Sequence, residues 1–148
     1  MIKKILVPID GSETARNGLD YALYLAKQTG ASVILVTVIN QGLGSQSMPA
    51  DAIPADLREN LEDYFRKSAE SVIAKAEELC RAEGVASERI LSEGKPVEEI
   101  MKGAEALKAD LIVMGSRGRS ALSAAFLGST AIGVMHSKTK IPVLVVKR

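Results

Sequence analysis

Three short stretches of this chain carry the residue types that hold an anion through backbone and hydroxyl donors. They are Pro8-Ile9-Asp10-Gly11-Ser12, Met114-Gly115-Ser116-Arg117-Gly118-Arg119-Ser120, and Gly128-Ser129-Thr130. Glycines let backbone N–H groups approach an anion with no Cβ in the way. Unpaired N–H groups at a helix start, with two hydroxyls beside them, suit a phosphate. Arg117 and Arg119 add positive charge. Each piece alone has a plainer explanation. Asp10 forms an Asx-turn, Gly115 and Gly118 make a tight strand-to-helix turn, Ser129 caps a helix, and the arginines are solvated surface charges. The combination is harder to dismiss.

Other chemistries lack their residues. There is no G-x4-G-K-[ST], no G-x-G-x-x-G after the first strand, and no S-G-G-x-D-S loop; Asp10-Gly11-Ser12-Glu13-Thr14 is only a distant echo of the last. Ser137-Lys138-Thr139-Lys140 superficially matches a synthetase loop but reads as a polar connection. With one histidine, His136, and one cysteine, Cys80, a multi-histidine zinc site, a cysteine zinc cluster and a disulfide framework all drop out. His136 falls late in the last helix, where a cation is welcome. Cys80 falls on an apolar helical stripe, as core.

The elements that must position these stretches follow from the hydrophobic pattern. Ile5-Leu6-Val7 and Val33 to Ile39 are short apolar runs without polar alternation, the mark of strands covered on both faces. Between them Ala15, Leu19, Ala22, Leu23 and Ala26 recur at helical spacing, capped by Ser12 and stopped by Gly30. Residues 40–55 read as a long loop. From Asp56 a long helix carries Leu57, Leu61, Phe65, Ala69, Val72, Ala76, Leu79 and Cys80 on one face, with Gly84 as its stop. Arg89-Ile90-Leu91 is a short strand. Pro96 opens a helix with Val97, Ile100, Ala104 and Leu107 inward. Leu111 to Met114 is a fourth strand, 129–138 a last helix, and Pro142 to Val146 the closing strand. Such alternation predicts a parallel sheet between helix layers, a doubly wound α/β fold in one domain over 1–148. Ligands of open α/β sheets bind beyond the carboxyl ends of strands, where two of the three stretches lie.

Composition agrees. The 148 residues are 47% hydrophobic and 25% charged, with 19 basic against 18 acidic side chains, so no global field exists to hold nucleic acid or an anionic membrane. Aromatics are 3%, too few for a base-stacking platform. No leader-like h-region and no long apolar span occurs, so a cytoplasmic protein without membrane insertion is expected.

Gly115-x2-Gly118-x9-Gly128-Ser129 resembles the G-x2-G-x9-G-[ST] signature of the ATP-binding branch of the universal stress protein family. The opening Ile5 to Ser12 and the ending Ile141 to Val146 are similar to that family's first and last strands. The resemblance spans about Lys3 to Lys147. It implies a flavodoxin-like, adenine-nucleotide alpha-hydrolase-like sheet of order 3-2-1-4-5. It places Pro8, Ile9 and Asp10 at adenine and ribose, and Val38 against the adenine. Met114 and Gly115 fall at ribose and α-phosphate, and Gly118, Gly128, Ser129 and Thr130 at the phosphates. Ser116, Arg117, Arg119, Ser120 and Ala121 would wrap the triphosphate, and Ala131 completes the set. It implies ATP as cofactor, with Mg or Mn near Asp10, and AMP or ADP as further occupants. It also implies a homodimer through Val143, Leu144, Val145 and Val146.

Three functions stay open at this point. The first is a small ATP-binding stress or signalling protein with slow or no hydrolysis and an unidentified protein partner. The second is a true ATPase or nucleotide-transfer enzyme, for which Asp10, Arg117 and Arg119 are the nearest candidates. The third is a nucleotide-free dimeric interaction module, for which the fold alone suffices.

Overall fold

The computed structural model describes residues 1–39, 54–117 and 127–147. In chain order the elements are β1 (Lys4–Pro8), α1 (Glu13–Thr29), β2 (Ser32–Ile39), α2 (Ala55–Ala82) and β3 (Ser87–Glu93). There follow α3 (Pro96–Ala106), β4 (Leu111–Gly115), α4 (Ser129–Met135) and β5 (Val143–Val146). The strands form one parallel sheet of order β3-β2-β1-β4-β5.

Strand period explains why the runs are apolar throughout. Ile5, Val7, Val33, Leu35, Leu111 and Val113 face one way, against Leu19, Leu23, Ile73 and Cys80 of α1 and α2. Leu6, Ile34, Val36, Ile112 and Met114 face the other way, against Ile100, Ala104, Ala131 and Val134 of α3 and α4. Both faces are therefore core. Cys80 is fully buried, and burial pushes its thiol pKa up.

The helix ends obey local chemistry. Ser12 caps α1, its hydroxyl accepting the Ala15 N–H at 3.2 Å. Gly30 closes the helix in the left-handed region at φ 76, its N–H reaching the Ala26 carbonyl. Pro96 stands at the first turn of α3. Three expected boundaries shift. The third strand is Ser87–Glu93 rather than 89–91, the last helix ends at Met135 rather than 138, and the last strand starts at Val143 rather than Pro142. Gly84 stops α2 as expected, in the left-handed region at φ 70 directly after the cap residue Glu83. Along α2 the buried residues are Ala69, Ile73, Ala76 and Cys80, whereas Leu57 and Leu61 are exposed. Of the loop expected over 40–55, residues 40–53 lie outside the described residues.

Two features open a crevice. From β1 the chain crosses to β2 and β3 on one side, and later to β4 and β5 on the other, so β1 and β4 flank the switch point. Moreover β1 pairs with β2 over all of Lys4 to Pro8, but with β4 only at Ile5↔Leu111 and Leu6↔Ile112. Beyond Leu6 the β1–β4 ladder stops. Past that break Pro8, Ile9 and Asp10 on one side and Met114 and Gly115 on the other line a cleft.

Candidate functional site at the switch point

One side of the cleft is set by the end of β1. The Ile9 N–H donates to the Val36 carbonyl at 2.8 Å, and the Thr37 hydroxyl donates to the Ile9 carbonyl at 2.9 Å. Both backbone groups of Ile9 are thus tied to β2. Asp10 makes the Asx-turn, its Oδ1 accepting the Ser12 N–H at 2.9 Å. Gly11 then turns with φ 85, a value that disfavours any side chain.

The other side is set by the end of β4. A Cβ on Gly115 would lie 2.5 Å from the Thr14 carbonyl carbon and oxygen, and one on Gly18 would lie 3.1 Å from the Gly115 nitrogen. These two glycines let α1 sit directly on the strand end. Gly115 is therefore glycine for packing, whatever ligand the cleft takes. The Ser116 N–H donates to the Val146 carbonyl at 3.0 Å, and its own carbonyl accepts the Gly128 N–H at 2.6 Å. Ser116 is buried and joins β5 to the start of α4.

Pro8, Ile9, Asp10, Val38, Met114, Gly115, Arg117, Gly128, Thr130 and Ala131 all line this cleft. Two other expected residues do not. Ser116 is turned into the protein, and Ser129 is exposed at the first position of α4, with Gly128 rather than Ser129 as the cap residue. Gly128 has φ −67, a backbone any residue adopts. Gly118, Arg119, Ser120 and Ala121 lie outside the described residues. Four lining residues were not singled out from sequence: Ala15, Val36, Pro96 and Ile100. Two of them had a usable signal. Val36 is two residues before Val38 on one strand face, and Ile100 is one helical turn after Pro96.

The arrangement has two unlike walls. Pro8, Ile9, Val36, Val38, Pro96 and Ile100 are apolar and suit a flat heterocycle. Opposite them, Gly115, Arg117, Gly128 and Thr130 bring a cation, a hydroxyl and backbone at two glycines. The N–H groups of Ser129, Thr130 and Ala131 stand in the first turn of α4, where no carbonyl within the helix can accept them. Among the described residues no group of three His, Cys, Asp or Glu is placed to hold a metal ion. His136 stands exposed at the C-cap of α4.

This fold and this cleft define a class, and the sequence comparisons agree. The chain belongs to the universal stress protein family, whose model matches residues 1–147. Among its relatives, universal stress protein MJ0531 of Methanocaldococcus jannaschii is 32% identical over 149 residues, covering 100% of this chain and 84% of that protein. The solved structure of MJ0577 from the same organism superposes with a TM-score of 0.86 at 32% identity, covering 100% and 97% of the two chains. A universal stress protein solved in complex with cAMP has a TM-score of 0.68 at 25% identity, with 98% and 96% covered.

Proposed function

We propose that this chain is a cytoplasmic, nucleotide-dependent stress-response protein that binds adenine nucleotide, ATP foremost and ADP or AMP in its place. The observation that carries the proposal is the two-walled cleft at the β1–β4 switch point, apolar on one side and glycine-, hydroxyl- and arginine-bearing on the other. The G-x2-G-x9-G-[ST] spacing and the cAMP-bound family member support it. In this assignment Pro8, Ile9, Val36 and Val38 meet the base, Asp10 and Met114 the ribose, and Gly115, Arg117 to Ala121, Gly128, the Ser129 N–H, Thr130 and Ala131 the phosphates.

A divalent cation, Mg or Mn, would arrive on the phosphates with Asp10 as its protein carboxylate. Such ions commonly use one or two carboxylates plus substrate phosphates. Asp10 is the one carboxylate among the described lining residues, and it already accepts the Ser12 N–H. A site built this way holds phosphate but supplies no evident general base, so hydrolysis is slow or nil. Denaturing the purified protein and analysing the supernatant should release adenine nucleotide, and calorimetry of the emptied protein should return saturable ATP binding. A saturable fit to no adenine nucleotide would overturn the proposal, as would rapid multiple-turnover hydrolysis for its last part.

The same chain is proposed to pair through β5. This strand is at the sheet's edge, is wholly apolar, and its four residues are only half-buried. Ile132 and Met135 of the adjoining α4 are exposed at 44% and 51%. An unpaired apolar edge invites a second strand, and a twofold copy satisfies both. Light scattering should give twice the chain mass, and the single-chain mass for a folded Val143→Lys/Val145→Lys protein.

A further inference from the structure

The first turn of α1 touches the wall of the cleft that carries Arg117. Thr14 Oγ1 donates to the Arg117 carbonyl, 103 residues away in sequence. Ser12 Oγ lies 3.4 Å from Thr14 Oγ1, and accepts the Ala15 N–H at 3.2 Å. A hydroxyl has one proton to give. Thr14 gives its proton to Arg117, so at the Ser12–Thr14 contact Ser12 must be the donor. The proton directions then run one way, from the Ala15 N–H to Ser12, from Ser12 to Thr14, and from Thr14 to the Arg117 carbonyl. Aligned chains of this kind polarise and strengthen each link. The Thr14 carbonyl meanwhile abuts Gly115, where a Cβ would be 2.5 Å away. One residue thus holds the end of β4 in two ways, by backbone contact at Gly115 and by hydroxyl at Arg117.

We infer that Thr14, oriented by Ser12, is a positioning residue that fixes the Gly115–Arg117 segment on the polar wall of the cleft before any ligand arrives. This rests on the nucleotide-binding proposal for its effect on affinity, but not for its effect on the empty protein. Thr14 itself does not line the cleft. Its hydroxyl acts through the segment it holds. A preorganised wall saves the ordering cost of binding, and only ligands that use that wall gain from it.

The test uses Thr14→Val, which keeps the shape and removes the hydroxyl, and Thr14→Ser, which restores it. Calorimetry is run with ATP and with adenosine, and amide exchange at Ser116 and Arg117 is followed without ligand. Thr14→Val should bind ATP roughly three- to tenfold more weakly, the worth of one neutral hydrogen bond, and adenosine unchanged. Its Ser116 and Arg117 amides should exchange faster, and Thr14→Ser should match the native protein in every reading. Should Thr14→Val not fold, Ser12→Gly carries the test with the same signs, since glycine is a tolerated N-cap. Unchanged exchange at Ser116 and Arg117 would overturn the inference, as would equal losses for ATP and adenosine. If the native protein binds no ATP yet exchange follows the hydroxyl, the nucleotide proposal fails and the positioning role stands.

Discussion

The two walls of the cleft are built by different rules. The apolar wall is core that happens to reach daylight: Val36 and Ile100 belong to the buried cluster beneath it, and Val38 continues the same strand face. Its residues would be hydrophobic with or without a ligand. The polar wall is made where regular structure stops, at the ends of β4 and the start of α4. There the residue types answer to close approach and to unpaired backbone groups. Shape therefore comes mainly from the first wall and chemical choice from the second. On the nucleotide proposal, adenosine would use mainly the first and ATP both.

That division can be broken most forcefully at Gly115. Gly115→Val drives a branched side chain into the Thr14 backbone, so a loss of about 3 kcal/mol or more is expected. Thermal melting should show it as a fall of about 6–12 °C, with both ligands lost together. A fully stable variant would mean the α1–β4 contact relaxes easily. Next in size is Val38→Asp on the apolar wall. An added carboxylate on this half-buried position should weaken adenosine and ATP alike, by about thirtyfold, through desolvation of the charge. If ATP alone suffered, the base would not be lying there. The smallest effect is expected from Arg117→Gln. ATP should bind about fivefold more weakly, less so in high salt, and adenosine should be indifferent. Equal losses for the two ligands would erase the distinction between the walls.

Much of the fold was legible because both sheet faces are covered, which turns strands into plain apolar runs. Ser12 and Gly30 marked the ends of α1 for the physical reasons the structure shows. The errors also have physical causes. Ser87–Glu93 is an edge strand whose Arg89 pairs with Glu70 and Glu77 of α2 and whose Glu93 pairs with Arg66, so charge masked the strand pattern. The apolar period of α2 runs on through Leu61 and Leu57, but at ~1.5 Å per residue its 28 residues reach ~42 Å, beyond the ~23 Å of the seven-residue β3 beside it. Periodicity records a face; it does not say where the neighbour ends. In the cleft, the glycine-bearing strand ends were visible, whereas Pro96 and Ile100 alone looked like an ordinary helix start and core. Ser116 stands apart from the described lining because its backbone is engaged by Val146 and Gly128.

The lone thiol at Cys80 has a practical consequence. It is fully buried on the inner face of α2, and burial raises its pKa, so an alkylating reagent reaches a reactive thiolate only when that helix lifts. With one cysteine in the chain, every labelling event reports that single opening. Val72 of the same helix rests 3.2 Å from where a Cβ of Gly11 would stand, one residue after the cleft-lining Asp10. The native chain therefore carries its own chemical clock on the far side of the sheet. Timed with and without nucleotide, that clock measures how far an event in the cleft is felt through the core.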